Sequence, residues 1–267
     1  MSGREGERLV GAAPVAEHRK GQWKLTYFDA PTRGEQIRLL FKVAKTDFFD
    51  ERMVYPTGQA QFKHAAMGDE SPLLFDQTPM VTSPTGDSIC QTANIMQFVG
   101  RSLGLAPEDP ALDARALALT LGSEEFRNAC FYKLFMPRAI RHVTSWKSGG
   151  LCCCVGRLKT CGEGKKKAPF GKYAALFESA LRNGGGPYFC GEQLCYADVA
   201  ICDSVRETLR LGCFGTYEQE LAPYPQLADW LARMEAIPEL AQYLAARGSI
   251  IPDFIDASQG RYKSKAE

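Results

Sequence analysis

Trp23-Lys-Leu-Thr-Tyr-Phe-Asp-Ala-Pro-Thr-Arg-Gly-Glu-Gln-Ile-Arg-Leu-Leu-Phe41 holds the change of period on which the fold reading turns. Its first six residues read as a short strand, ending in the turn composition Asp29-Ala-Pro-Thr. From Gly34 onward the apolar residues Ile37, Leu40, Phe41 and Ala44 recur at helical spacing and predict one apolar helix face. Strand, tight turn and helix in that order begin an α/β unit.

Outward from this unit, Phe48–Met53 predicts a second strand, and residues 59–66 carry a weak helical pattern. Met80–Thr82 and Ser88–Cys90 flank Ser83-Pro-Thr-Gly-Asp87, whose Pro and Gly suit a hairpin turn. Ile95, Phe98, Val99 and Leu103 mark a further helix that Gly104 would end. The order β-α-β-α-β-β-α over residues 23–104 predicts a small mixed sheet with helices packed on it. Residues 104–110 have the composition of a linker. Beyond them the strand signal fades. A long Ala/Leu-rich helix is expected from Ala111 towards Trp146, bent near Pro137. Helical spacing returns in Tyr173–Leu181, in Val199, Cys202, Val205 and Leu209, and in Leu227, Trp230, Leu231 and Met234. Residues 111–250 therefore read as an all-helical domain. The polar segments 1–22 and 256–267 read as a disordered leader and a loose tail.

The bulk numbers narrow the function. With 267 residues, 45% hydrophobic and 24% charged, the chain is an ordinary globular one with material for two domains. A net charge of +1 gives no reason to expect nucleic acid or a membrane surface. No apolar stretch approaches the roughly 18 residues of a membrane span. Among ten cysteines there is no C-x-x-C pair, which weakens zinc and thioredoxin-type redox readings. Cys90, Cys130, Cys190, Cys195, Cys202 and Cys213 sit in apolar patterns, where a thiol packs as a small hydrophobe. A reducing cytoplasm suits such a chain. Cys152, Cys153, Cys154 and Cys161 cluster in a Gly/Lys-rich loop at 149–167. That loop reads as an incidental insertion, a site of thiol oxidation or glutathionylation, or a soft-metal trap.

By itself Tyr27 is a strand tyrosine and reads as packing. Lys24-Leu-Thr-Tyr-Phe-Asp29 followed by Arg33-Gly-Glu-Gln-Ile-Arg-Leu-Leu-Phe41, however, resembles the first strand and helix of tyrosine-type cytosolic glutathione transferases, the sigma, mu and alpha group. That resemblance implies a thioredoxin-like N-terminal domain, an all-α C-terminal domain and glutathione as co-substrate. It also implies that the Tyr27 hydroxyl donates to the glutathione sulfur, since the thiolate is the nucleophile and a donor aimed at it lowers its pKa. Arg33 matches an arginine that adds positive potential near the same sulfur. Gln77-Thr-Pro-Met80 matches the segment whose cis proline, here Pro79, exposes the backbone of the preceding residue, here Thr78, to the cysteinyl part of the tripeptide. Gln91-Thr92 matches the Gln/Glu-Ser pair that binds the γ-glutamyl carboxylate at a helix N-terminus, with Thr92 as the expected N-cap.

Further matches extend the resemblance from about residue 23 to residue 247. Phe62, Lys63 and His64 fall in the region that touches the glycyl carboxylate. Gly191-Glu-Gln-Leu-Cys-Tyr-Ala-Asp198 is similar to the family's Ser/Thr-x-x-Asp capping segment, with Cys195 in the hydroxyl position, where a thiol is a poorer acceptor. Pro225-Gln-Leu-Ala-Asp-Trp-Leu231 and Ile237-Pro-Glu-Leu240 match the closing helices. Within Leu121-Gly-Ser-Glu-Glu-Phe126, Glu125, or Glu124, stands where an aspartate reaches across the dimer to the γ-glutamyl ammonium. Phe131, Tyr132, Phe135 and Met136 are expected to line a pocket for a second substrate. The implied activity is conjugation of glutathione to apolar electrophiles in detoxification, by a cytoplasmic homodimer that needs no metal. The alternative is a non-enzymatic carrier or structural protein on the same fold. A thiol-disulfide oxidoreductase of this fold would need a cysteine at the start of the first helix, and residues 29–38 contain none.

Overall fold

The computed structural model describes residues 18–29, 32–53, 77–135, 169–210, 216–247, 255–256 and 261–262. Strand β1 (Trp23–Phe28) is followed by helix α1 (Thr32–Val43) and strand β2 (Phe48–Met53), then by β3 (Met80–Thr82) and β4 (Ser88–Cys90) and helix α2 (Thr92–Ser102). The sheet runs β2-β1-β3-β4. β1 and β2 are parallel, joined through α1, and the other two pairings are antiparallel. This is the small mixed sheet that the residue pattern predicts. Residues 54–76, which include the helical pattern at 59–66, lie outside the described residues.

The all-helical part consists of α3 (Pro110–Phe135), α4 (Pro169–Arg182), α5 (Tyr196–Arg210), α6 (Tyr217–Leu221), α7 (Pro225–Glu235) and α8 (Pro238–Arg247). Its core is aromatic. Phe126 of α3 meets Phe177 of α4 edge-on at 5.7 Å, Phe177 meets Phe189 at 6.0 Å, and Phe189 meets Trp230 of α7 at 4.9 Å. Such edge-to-face contacts suit the ring quadrupoles and bury large apolar area. Asp198 organises the polar centre of this core: it accepts Phe189 N–H at 3.1 Å, Cys195 N–H at 3.0 Å and Trp230 Nε1–H at 2.9 Å. At the start of α7, the buried carboxylate of Glu178 accepts Gln226 N–H and Leu227 N–H at 3.3 and 2.8 Å, so a side chain from α4 satisfies the helix's unpaired donors.

Helix α1 departs from the expected pattern of one apolar face. Every residue from Gly34 to Phe41 is buried, including Glu35, Gln36 and Arg38. Ile37, Leu40 and Phe41 face the sheet, while the polar side is covered by the helical part. Arg38 pairs with Glu35 at 3.2 Å and with Asp50 of β2 at 2.9 Å, and Arg247 of α8 bridges Glu35 and Glu207 of α5 at 2.5 Å each. Buried charges persist only when paired. The Arg247 pairs tie α1 to α5 and α8, and the Arg38–Asp50 pair ties it to β2.

Short local contacts are present near the chain ends. Residues 18–22, part of the expected leader, form a turn in which Gln22 Oε1 accepts Arg19 N–H at 3.3 Å and His18 contacts Gln22 O at 3.1 Å. In the tail, β5 (Ile255–Asp256) pairs antiparallel with β6 (Arg261–Tyr262). Residues 1–17, the loop at 149–167 with its cysteines, Pro137 and Cys213 lie outside the described residues. Cys90, Cys130, Cys190, Cys195 and Cys202 are all buried, as their apolar settings predict.

Candidate functional site

Tyr27 projects from β1 towards the first turn of α1. Its hydroxyl lies 2.7 Å from Thr32 Oγ1, and its ring is 6% exposed. Gly34 lies flat on that ring: a Cβ there would stand 2.3 Å from Tyr27 Cδ1. Only glycine allows so close an approach of helix backbone to ring.

Arg33, one residue along, reaches the long helix α3. Its Nη2 donates to Asn128 Oδ1 at 3.1 Å and its Nε lies 3.3 Å from Glu124 Oε2. Glu124 is a hub. Its other oxygen accepts from Gln36 Nε2 at 2.5 Å and lies 3.6 Å from Arg127 Nε. Arg127 donates in turn to Asp203 at 2.6 Å and to Ser204 Oγ at 3.0 Å. Burial opposes the charge on Arg127, but Asp203 and Glu124 outweigh it and raise its pKa.

The Thr78–Pro79 bond is cis. The β1–β3 ladder begins at Thr26↔Met80, so Thr78 stands outside it at the sheet's end. Its Oγ1 is buried with no hydrogen-bond partner among the described residues. Across from it, the chain enters α2 through Gln91, whose backbone sits at φ 69°, ψ 118°. A non-glycine residue held at positive φ stores strain that local structure must enforce. Gln91, not Thr92, is the N-cap, because its non-helical dihedrals end the strand and Thr92 is already the first helical residue. The Gln91 side chain makes no capping bond. It points instead at Gln77 Oε1, 3.4 Å away, which leaves the first-turn N–H groups of α2 without a side-chain cap.

These elements enclose a cleft of about 550 Å³ lined by Arg33, Thr78, Pro79, Gln91, Thr92 and Glu124, with Asn94, Gln97, Leu117, Leu121 and Asn128 completing its walls. It has the size of a small-molecule site. One end offers a helix N-terminus suited to an anion, and the α3 side offers a carboxylate suited to a cation.

The structure brings Arg33, Thr78, Pro79, Gln91 and Thr92 to one cleft. Tyr27 is not among the residues that line it, and its hydroxyl lies on Thr32. Glu125 is exposed on α3 and does not line the cleft, whereas Glu124 does. Phe62, Lys63, His64 and Met136 lie outside the described residues. Phe131, Tyr132 and Phe135 lie on the last turn of α3, beyond the described side chains. Sequence reasoning missed Thr32, Gln36 and Asn128. The signal for Thr32 was its place as the first residue of a helix five positions from Tyr27. Gln36 and Asn128 had none, since each matters only through a partner about ninety positions away.

The cysteine in the capping segment does more than the sequence suggests. The Cys195 thiol is a donor to Asp198 Oδ2 at 3.2 Å, not a weak acceptor, and the backbone N–H of Cys195 completes the pairing.

Among the described residues, no helix is long and apolar enough to cross a membrane. Comparison with known proteins adds to this geometry. Residues 159–247 match the family model for the glutathione S-transferase C-terminal domain. Glutathione S-transferase 1 of Ascaris suum is 26% identical over 230 residues, covering 85% of this chain and 97% of that protein. Among solved structures, the glutathione S-transferase of Ascaris lumbricoides superposes with a TM-score of 0.62 at 24% identity, over 86% of this chain and 98% of its own. The Pi-class enzyme of Onchocerca volvulus gives 0.64 at 20% identity, over 85% and 93%. The chain has the glutathione transferase fold, and the curated proteins it resembles along most of its length are glutathione S-transferases.

Proposed function

We propose that this protein is a tyrosine-type glutathione transferase that binds glutathione in the cleft and conjugates its thiolate to apolar electrophiles. The observation that carries this reading is the meeting of Arg33, Thr78–Pro79 and Gln91–Thr92 in one cleft, each chemically matched to a different part of one tripeptide. The γ-glutamyl carboxylate takes the N-terminus of α2, where Thr92 and the first-turn N–H groups donate. The backbone of Thr78 pairs with the cysteinyl unit as a short added strand. That leaves the sulfur towards Tyr27 and Arg33. There the Tyr27 hydroxyl donates to the thiolate and the guanidinium adds positive potential, both favouring the ionised nucleophile.

The remaining assignments belong to the same proposal. Phe62 and Lys63 serve the glycyl carboxylate. Phe131, Tyr132, Phe135 and Met136 form the electrophile pocket. The active form is a cytoplasmic homodimer in which Glu125 reaches the γ-glutamyl ammonium of the partner's glutathione. Leu121, 51% exposed, lies on α3 one turn from Glu125 and supplies apolar surface for that contact. The chemistry requires no metal, and the physiological role is detoxification.

One observation favours a non-enzymatic ligand carrier instead. Tyr27 is 6% exposed, with its hydroxyl already on Thr32. Two measurements separate the readings. Retention on immobilised glutathione, followed by conjugation to a chlorinated nitroaromatic, supports the enzyme. Retention without conjugation supports the carrier, and no retention removes both glutathione readings.

A further inference from the structure

Gln36 of α1 is fully buried, yet its amide is only half used. Nε2 donates to Glu124 Oε1 at 2.5 Å, while Gln36 Oε1 has no hydrogen-bond partner among the described residues. An acceptor left bare in the interior works against folding, and an apolar side chain of the same length would avoid that cost. What the amide does reach is a carboxylate on the wall of the cleft.

The two oxygens of Glu124 have different partners. Oε2 lies 3.3 Å from Arg33 Nε, and Arg33 also donates through Nη2 to Asn128 Oδ1 at 3.1 Å. The Arg33 side chain stays 45% exposed and lines the cleft. Oε1 faces the buried side. Arg127 Nε stands 3.6 Å from it, beyond hydrogen-bond range, and Arg127 Nη2 is committed to Asp203 at 2.6 Å and Ser204 Oγ at 3.0 Å. Among the described residues, the Gln36 amide is thus the one hydrogen-bond donor to Oε1. A carboxylate held by one oxygen presents only the other to a guanidinium. Once released, it is free to pair both oxygens with the guanidinium fork.

We propose that Gln36 is a positioning residue for the cleft: by holding Glu124 through Oε1, it limits Glu124 to a one-oxygen contact with Arg33 and keeps positive potential facing the cleft. This rests on the transferase reading, in which that potential favours the glutathione thiolate. Gln36 does not line the cleft and acts only through Glu124. Without its amide, the carboxylate turns both oxygens to Arg33. The positive potential in the cleft then falls, and a larger share of the bound thiol keeps its proton.

The test uses the full-length protein with glutathione and a chlorinated nitroaromatic. Gln36→Met keeps the length of the side chain and removes the amide. Gln36→Asn keeps an amide but withdraws it by one methylene, a second route should the first variant fold poorly. Circular dichroism and urea midpoints establish that each is folded under assay conditions. Turnover in either variant is expected to fall about three- to ten-fold at mildly acidic pH, with KM for glutathione changed less than about two-fold. The pH profile of turnover shifts upward, so the loss shrinks as rising pH ionises the thiol unaided. In a Glu124→Gln background the same substitutions have no further effect. A purely structural role lowers the urea midpoint and leaves the pH profile in place, and that result overturns the proposal. So does a loss of the same size in the Glu124→Gln background. A wild type that binds no glutathione removes the transferase reading and this inference with it. A wild type that conjugates glutathione, matched in turnover and pH profile by its Gln36 variants, removes this inference alone.

Discussion

The Tyr27 hydroxyl and Thr32 Oγ1 lie 2.7 Å apart, joining the end of β1 to the first residue of α1. Each hydroxyl can donate one proton and accept others. When Thr32 donates to Tyr27, the tyrosine keeps its own proton for a third atom, and accepting a hydrogen bond makes its O–H a stronger donor. Tyr27→Phe removes the donor to sulfur and is expected to slow conjugation roughly ten- to a thousand-fold. Thr32→Val removes only the supporting bond, worth about 1 kcal/mol, and is expected to lower turnover about five-fold with glutathione affinity retained. Steady-state kinetics of both variants check this. Equal losses in the two would make Thr32, rather than Tyr27, the partner of the sulfur.

Gly34 keeps that geometry in place. A methyl group added there meets Tyr27 Cδ1 at 2.3 Å, with no room for the ring to retreat because it is buried. Gly34→Ala is expected to destabilise the fold by about 1–3 kcal/mol through overpacking, although alanine is the better helix former. It is also expected to lower conjugation by displacing the ring. Urea denaturation gives the first quantity and turnover the second. A variant more stable than wild type would show that the ring moves freely.

At the other end of the cleft, Thr92 is the first residue of a helix whose N-cap makes no side-chain bond. If its hydroxyl donates to the γ-glutamyl carboxylate, Thr92→Ala loses a hydrogen bond to a charged group and weakens glutathione binding about ten- to a hundred-fold. Thr92→Ser is expected to bind like wild type. Calorimetry separates the two, and an alanine variant with unchanged affinity would move the carboxylate elsewhere.

How far the sequence could be read follows from the range of the interactions. Leu25, Ile37, Leu40 and Phe41 are buried against one another, and their period alone announces strand and helix. Thr78–Pro79 and Gln91–Thr92 are local motifs, so their place in the cleft could be anticipated from order along the chain. Glu35, Gln36 and Arg38 could not be read in this way. In a helix pattern they look like a solvated face, yet each is buried, because Arg247 and Glu124 arrive from elements far along the chain. Burial of a charge depends on its partner, and nothing near Arg38 in sequence specifies Asp50, nor near Glu35 specifies Arg247. The choice of Glu124 over Glu125 as the cleft-lining carboxylate has the same origin. The two are adjacent and chemically alike, and only the rotation of α3 against α1 decides which one faces inward.

Asp203 gives this buried network a measurable pH dependence. It is 1% exposed on α5, accepts from Arg127 at 2.6 Å, and has Glu207 and Glu35 nearby. Burial pushes its carboxyl up to about 7, Arg127 opposes the rise, and the two glutamates add to it. In the unfolded chain an aspartate titrates near 3.9. Between about pH 4 and about pH 7 the folded protein therefore holds a proton that the unfolded chain has released. Its contribution to stability is fully present below about pH 4 and is lost as pH rises through about 7. Asp203→Asn keeps an acceptor for Arg127 but cannot titrate. Urea midpoints at about pH 5 and about pH 8 are expected to fall more steeply for wild type than for the variant over this interval. A variant whose stability declines in parallel with wild type would assign the proton to another member of the network.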